Sequence, residues 1–158
     1  MKNVPKNASE RAFQENFVNE LKKYKWDSPD SLNGNIKKVT VNDLIIHWRS
    51  ELNRINADQL EGVPLTDNEF KQVMAKVNLI SNSFEATKVL SMEGNKGKID
   101  GIFRDDHPDI TRKQITLTIL KKAEVSGGDS SYRIAREVET DKGNRFDLVL
   151  LINGLPLI

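Results

Sequence analysis

Asp147, Arg145, Glu137 and Glu10 are the side chains of this 158-residue chain whose types and spacing could do chemistry. A carboxylate accepts hydrogen bonds, pairs with a cation or offers hard oxygens to a divalent ion, and a guanidinium reaches phosphate or carboxylate. Asp147 and Arg145 sit two apart at the head of an apolar run, so on a strand they would share one face. By spacing alone, an Asp that follows Gly143-Asn144 and precedes such a run is a turn or edge residue. Glu137 falls on the polar side of an alternating stretch, where a solvated side chain is the plainer account. Glu10 lies three residues after Asn7 and could close a capping box at a helix start as readily as support a site. Arg145 could reach a phosphate or pair with a neighbouring acid.

The elements that must position Asp147 are readable around it. Leu148 to Ile152 reads as a buried strand, and Asn153-Gly154 is the dipeptide that best tolerates positive φ in a tight hairpin turn. Leu155 to Ile158 begins the return strand. With a two-residue loop Ile152 faces Leu155, and Asp147 looks across at a position about two beyond Ile158. An unpaired edge there is a reason to expect self-association through main-chain hydrogen bonds.

The string Arg145-x-Asp147, then Leu-Val-Leu-Leu-Ile-Asn-Gly-Leu-Pro-Leu, closely resembles the start of the nuclease motif in the restriction (R) subunit of type I restriction-modification enzymes. In that family a Glu-x-Lys follows within a few residues. Ser9-Glu10, Phe13, Leu21 and Trp26 are similar to that subunit's first helix, and Tyr132 to Val138 matches a family strand that often carries Gln where this chain has Glu137. The resemblance runs from near Ser9 to Ile158 and is loose between Asp27 and Ser81.

The resemblance implies a mixed α/β fold of the restriction-endonuclease-like superfamily: N-terminal helices, then an antiparallel strand meander, as a truncated α/β/α core. It implies that the Asp, Glu and Lys form a Mg²⁺-dependent site, with Asp147 as a metal ligand, Glu10 and Glu137 as further catalytic candidates and Arg145 as a contact to double-stranded DNA. A phosphodiester is cut when the charge of the transition state is neutralised and a water is made nucleophilic, which Mg²⁺ on one or two carboxylates accomplishes. The intact enzyme of that family joins methyltransferase and specificity subunits and moves DNA with ATP before cutting it. Residues 1–158 are accordingly expected to be one domain, the N-terminal part of the nuclease domain, ending before the Glu-x-Lys. ATP would belong to motor domains outside it, since no Gly-x-x-x-x-Gly-Lys-Ser/Thr is present. Alone, the chain is expected neither to cut DNA nor to hold Mg²⁺ tightly. The rival reading is a non-catalytic docking module for the motor or the methyltransferase.

Composition sets the frame. With 24 basic and 23 acidic residues the net charge is +1, so a global positive field is absent and any DNA contact must be local. No cysteine means neither disulfides nor zinc-thiolate sites, and no stretch has the length of a membrane span or the layout of a signal peptide. A cytoplasmic protein without membrane contact is expected. His47 and His107 are too few and too far apart for a zinc or triad reading, and the clusters Lys22, Lys23, Lys25 and Lys37-Lys38 read as wet helix faces.

The first half reads helical. Phe13, Phe17, Leu21 and Tyr24 form an apolar stripe on a helix from about Ser9 to Lys25; Leu44, Ile45, Trp48, Leu52 and Ile55 do so from about Val41 to Ile55. A third helix opens at Thr66, with Glu69 completing a capping box ahead of Phe70, Val73, Met74 and Val77. Between 81 and 106, Phe84, Val89 and Leu90 could line a short helix, whereas Gly97 to Phe103 looks extended. Period two then takes over: Ile115, Leu117 and Ile119, a turn at 127–130, a second strand from Tyr132 to Val138, a turn at 142–144 and the Asp147 strand, together a meander.

Overall fold

The computed structural model describes residues 6–80, 82, 85–87, 97–120 and 130–157, and among them the chain is mixed α/β. In chain order the elements are α1 (Lys6–Lys22), a 3-10 turn (Asp30–Leu32), β1 (Val39–Thr40), α2 (Val41–Ile55), α3 (Asp67–Asn78), β2 (Lys98–Phe103), β3 (Gln114–Thr118), β4 (Tyr132–Glu139), β5 (Arg145–Ile152) and β6 (Leu155–Pro156). They fall into two compact units, Met1–His47 with Ser131–Ile158, and Trp48–Ser130.

The first unit is built on a sheet of order β1-β4-β5-β6, in which β4-β5 and β5-β6 are antiparallel and β1 runs parallel to β4. Leu32, Val39, Ala135, Val138 and Leu151 form its core, with Leu44 and Val149 packed against them. The hairpin register is the expected one, Ile152 opposite Leu155. Asn153 at φ 50 and Gly154 at φ 79 both take the left-handed conformation that a two-residue turn between right-twisted strands demands. The Asn153 side chain is buried and its Oδ1 accepts the Ser131 N–H at 2.9 Å, tying the turn to the entry of β4.

The first helix departs from expectation. It ends at Lys22, a turn with Lys25 at φ 67 follows, and Phe13, Phe17 and Tyr24 are 71%, 41% and 72% exposed. Among the described side chains of the helix Val18 is buried, with Leu21 half-buried. Apolar periodicity finds the apolar side of a helix, but the sheet meets the side about 100° further round. The Phe13 and Phe17 rings instead stack on each other, 6.4 Å apart and 9° from parallel. Beyond the turn the chain joins β4: Asp27 N–H donates to Tyr132 O at 3.0 Å, Ile134 N–H to Asp27 O at 2.7 Å, and Trp26 meets Tyr132 edge-on.

In the second unit β2 and β3 make their own two-stranded antiparallel sheet. The expected meander from the Ile115 strand into β4 is therefore corrected: β3 pairs with β2, because period-two alternation sets a strand's faces but not its partner. The register shifts between Ile99 and Ile102, where Gly101 at φ 68 permits a bulge. The extended reading of 97–103 is realised in β2, whereas Phe84, Val89, Leu90 and most of the 127–130 turn lie outside the described residues. The α2 boundaries match the expected ones, with Trp48 and Leu52 buried. Thr66 caps α3 with both halves of the Glu69 box formed.

That box leads into a buried network. Glu69 and Arg104 side chains are both 0% exposed and pair at 2.9 Å; Arg104 also donates to the carbonyls of Leu60 (3.2 Å) and Val63 (2.9 Å). The Glu69 carboxylate accepts the N–H groups of Asp105 at 2.8 Å and Thr66 at 3.0 Å, so each charge is compensated. On the outer side of β2, the Gln72 amide donates to Phe103 O at 2.8 Å and accepts Phe103 N–H at 2.9 Å.

Candidate functional site

The first unit carries a cleft of about 280 Å³ whose walls come from α1, the loop before β1, β4 and β5. Glu10, Glu137, Arg145 and Asp147 all line it, so the fold gathers the four residues that the sequence singled out. Six further residues of the lining, Arg11, Gln14, Gly34, Asn35, Lys38 and Glu139, were not foreseen as part of a site. An exposed arginine and lysine carry no local signal that distinguishes them from a solvated surface.

Asp147 continues the row Leu151, Val149 along β5, the first buried and the second packed against the core, and it emerges exposed in the cleft. The pairs Arg136 with Leu148 and Val138 with Phe146 bracket Glu137 and Asp147 at facing positions of β4 and β5. On the other side of β5, β6 pairs at Leu151 and Ile152, and Leu157 N–H donates to Leu150 O at 2.8 Å, carrying the register on toward Asp147.

Glu137 is not the solvated strand residue that alternation suggested. It stands at φ 53, its side chain is 19% exposed, and its carboxylate forms an ion pair with Arg145, Oε2 lying 2.8 Å from Nε. Beside it the Asn33-Gly34 loop approaches β4 tightly, a contact that no sequence pattern announces. Of the two uses open to Arg145, the structure shows the ion pair. Since α1 begins at Lys6, Asn7 lies inside the helix rather than at its cap, so the capping-box account of Glu10 falls away; the residue is an exposed acid on the cleft wall.

Lys37 and Lys38 sit on the loop ahead of β1, not on a helix face as expected, because the helical stretch starts only at Val41. Lys38 Nζ lies 2.6 Å from the Glu139 carboxylate, whose hydrogen bond raises the ammonium pKa above its ordinary 10.5. Glu15 holds α1 to β4 through Arg136, whose hydrogen bond draws the carboxyl below its usual 4.5. Among the described residues, no group of three His, Cys, Asp or Glu converges closely enough to hold a metal ion. The oxygens of Asp147 and Glu137 have the hardness that Mg²⁺ selects, and Asp147 is the one open to solvent.

Residues 7–158 match the family described as the type I restriction enzyme R protein N terminus. The chain belongs to that family. The endonuclease subunit of the type I restriction enzyme SauCOLORF180P from Staphylococcus aureus strain COL is 29% identical over 155 residues, 95% of this chain and 14% of that protein. The SsaAORF53P endonuclease subunit from Staphylococcus saprophyticus is 32% identical over 117 residues, 73% of this chain and 11% of its own length. The chain therefore corresponds to an N-terminal region of type I restriction endonuclease subunits and spans 14%, about one-seventh, of the first relative's length. No helix among the described residues is long and apolar enough to cross a membrane.

Proposed function

We propose that the cleft is part of the DNA-cleaving centre of a type I restriction R subunit, with double-stranded DNA as substrate and Mg²⁺ as the metal. The single observation that carries this is the placement of Asp147: an exposed carboxylate at the end of a core-anchored row, facing Glu137 and flanked on its far side by the register of β6. Continuation of β6 along that register would bring a second acid and a lysine opposite Asp147 on a stiff hairpin. Mg²⁺ held there would neutralise the phosphate and lower the pKa of a bound water. Asp147 contributes a ligand oxygen; Glu10 and Glu137 supply negative charge on the opposite wall; Arg11 offers a guanidinium for a backbone phosphate. In the assembled enzyme, the methyltransferase and specificity subunits would supply sequence recognition and ATP-driven motor domains would deliver the DNA, both outside this chain.

The test is Asp147→Ala in the R subunit that carries this region. Expected is loss of DNA cleavage with ATP hydrolysis and folding unchanged, because the side chain is exposed and carries no core contact. Cleavage at the wild-type rate would overturn the assignment. A docking role has one observation of its own, the exposed, stacked Phe13 and Phe17 on α1. It is favoured if Asp147→Ala still cuts while Phe13→Ala with Phe17→Ala blocks assembly with the methyltransferase.

A further inference from the structure

Gly34 sits closer to β4 than any side chain allows. A Cβ built on it would fall 2.5 Å from the Glu137 Cβ and 2.6 and 2.7 Å from the carbonyl oxygens of Glu137 and Arg136. Two of those atoms are backbone, so no rotamer change makes room. The approach is pinned by hydrogen bonds: Gly34 N–H donates to Arg136 O at 2.9 Å, and Asn33 bridges Arg136 in parallel.

Across this contact stands Glu137, a glutamate at φ 53 inside a strand, a conformation that an L-residue adopts only when its surroundings impose it. A left-handed residue within a strand re-aims its side chain. The Glu137 carboxylate lies on the cleft wall and holds the Arg145 guanidinium. Arg145 and Asp147 share a strand face, two residues apart, so a guanidinium released from Glu137 has Asp147 within reach as its next partner. Among the described residues Asp147 has no ion-pair partner, and its oxygens stay open to an incoming cation.

We propose that Gly34 is a positioning residue: its seat on β4 holds Glu137 left-handed, Glu137 retains Arg145, and Asp147 is thereby kept free to bind a divalent ion. The proposal rests on the nuclease reading of the cleft, yet its geometry can be checked without DNA. In the wild-type chain the Arg145 Nε–Hε resonance reports the ion pair with Glu137, 2.8 Å away, whereas in Gly34→Ala it shifts as the guanidinium passes from Glu137 to Asp147 while the β4 and β5 amide signals persist. With Mn²⁺ as the probe, paramagnetic broadening of β5 amides around Asp147 requires several-fold more metal in Gly34→Ala, and adding Arg145→Ala restores the wild-type titration. A purely structural glycine would not be rescued by removing an arginine.

An unchanged Hε resonance in folded Gly34→Ala, or no rescue by Arg145→Ala, overturns the proposal. If Gly34→Ala does not fold, the pair Glu137→Gly and Glu137→Ala decides: both delete the carboxylate, and glycine is the less stable at an ordinary strand position but the more stable at positive φ. Glu137→Gly melting above Glu137→Ala supports the imposed conformation; the reverse order overturns it. Absence of Mn²⁺ broadening in the wild type counts against the nuclease reading alone, since the Hε and melting comparisons still judge the position of Glu137.

Discussion

Replacing Arg104 by methionine removes one charge from a pair that has no access to water, and the size of the loss follows from what stays behind. The Glu69 carboxylate, 0% exposed, would keep the Asp105 and Thr66 N–H groups but lose the cation paired with it. The Leu60 and Val63 carbonyls would lose the donors that join them to α3. Stranding one member of a buried pair costs about 3–5 kcal/mol, and the two remaining N–H donors place Arg104→Met toward the lower end. Against a typical domain stability of about 5–15 kcal/mol this is a large fraction. With a urea slope of about 2 kcal/mol/M the midpoint falls by roughly 1.5 M. Urea titration in a Trp26→Phe background isolates the signal of Trp48, which belongs to the second unit. Removing both charges, Arg104→Met with Glu69→Leu, is expected to cost less than the sum of the singles, because no ion is left stranded. A single Arg104→Met costing under about 1 kcal/mol with an unchanged slope would refute the view that this ion pair staples the unit.

Other expectations follow from local geometry. The Asp43 carboxylate accepts the Thr40 N–H and hydroxyl, each at 2.8 Å, and the backbone bond draws its pKa below 3.8. A depressed folded pKa adds stability above the unfolded value that is lost as pH falls through the folded one, so the melting gap between wild type and Asp43→Asn is full near neutrality and closes in acid. Thermal melts from pH 7 down to 2 check this; a constant gap would refute it. Asn153→Gly keeps the turn conformation but loses the bond to Ser131, whereas Asn153→Ala loses both, so Ala should melt lower than Gly. Thr66→Ala should cost about 1 kcal/mol in chemical denaturation through loss of the α3 cap.

Features written in neighbouring residues were legible. The α2 period, the Thr66-Glu69 box and the Asn153-Gly154 turn each depend on contacts a few residues apart, and each formed where expected. The pairing of Ile152 with Leu155 followed from the turn length alone. What stayed hidden depends on partners distant in sequence. Two residues of β1 are too few to show a period, the partner of β3 is a matter of topology, and the burial of Val18 in place of Phe13 and Phe17 depends on where the sheet lies. In the cleft, the four singled-out side chains came together, yet the left-handed Glu137 and the seat of Gly34 could not be read, since glutamate has no preference for positive φ and a glycine in a loop announces only freedom.

Gln72 has a consequence for how the second unit behaves in a crowded solution. A two-stranded sheet has free main-chain flanks, each an invitation to another polypeptide. By presenting a carboxamide where a neighbour's peptide group would dock, the helix occupies the recognition points at Phe103 with atoms of its own chain. An intruding strand would have to displace that mimic before it could grow an aggregate from β2.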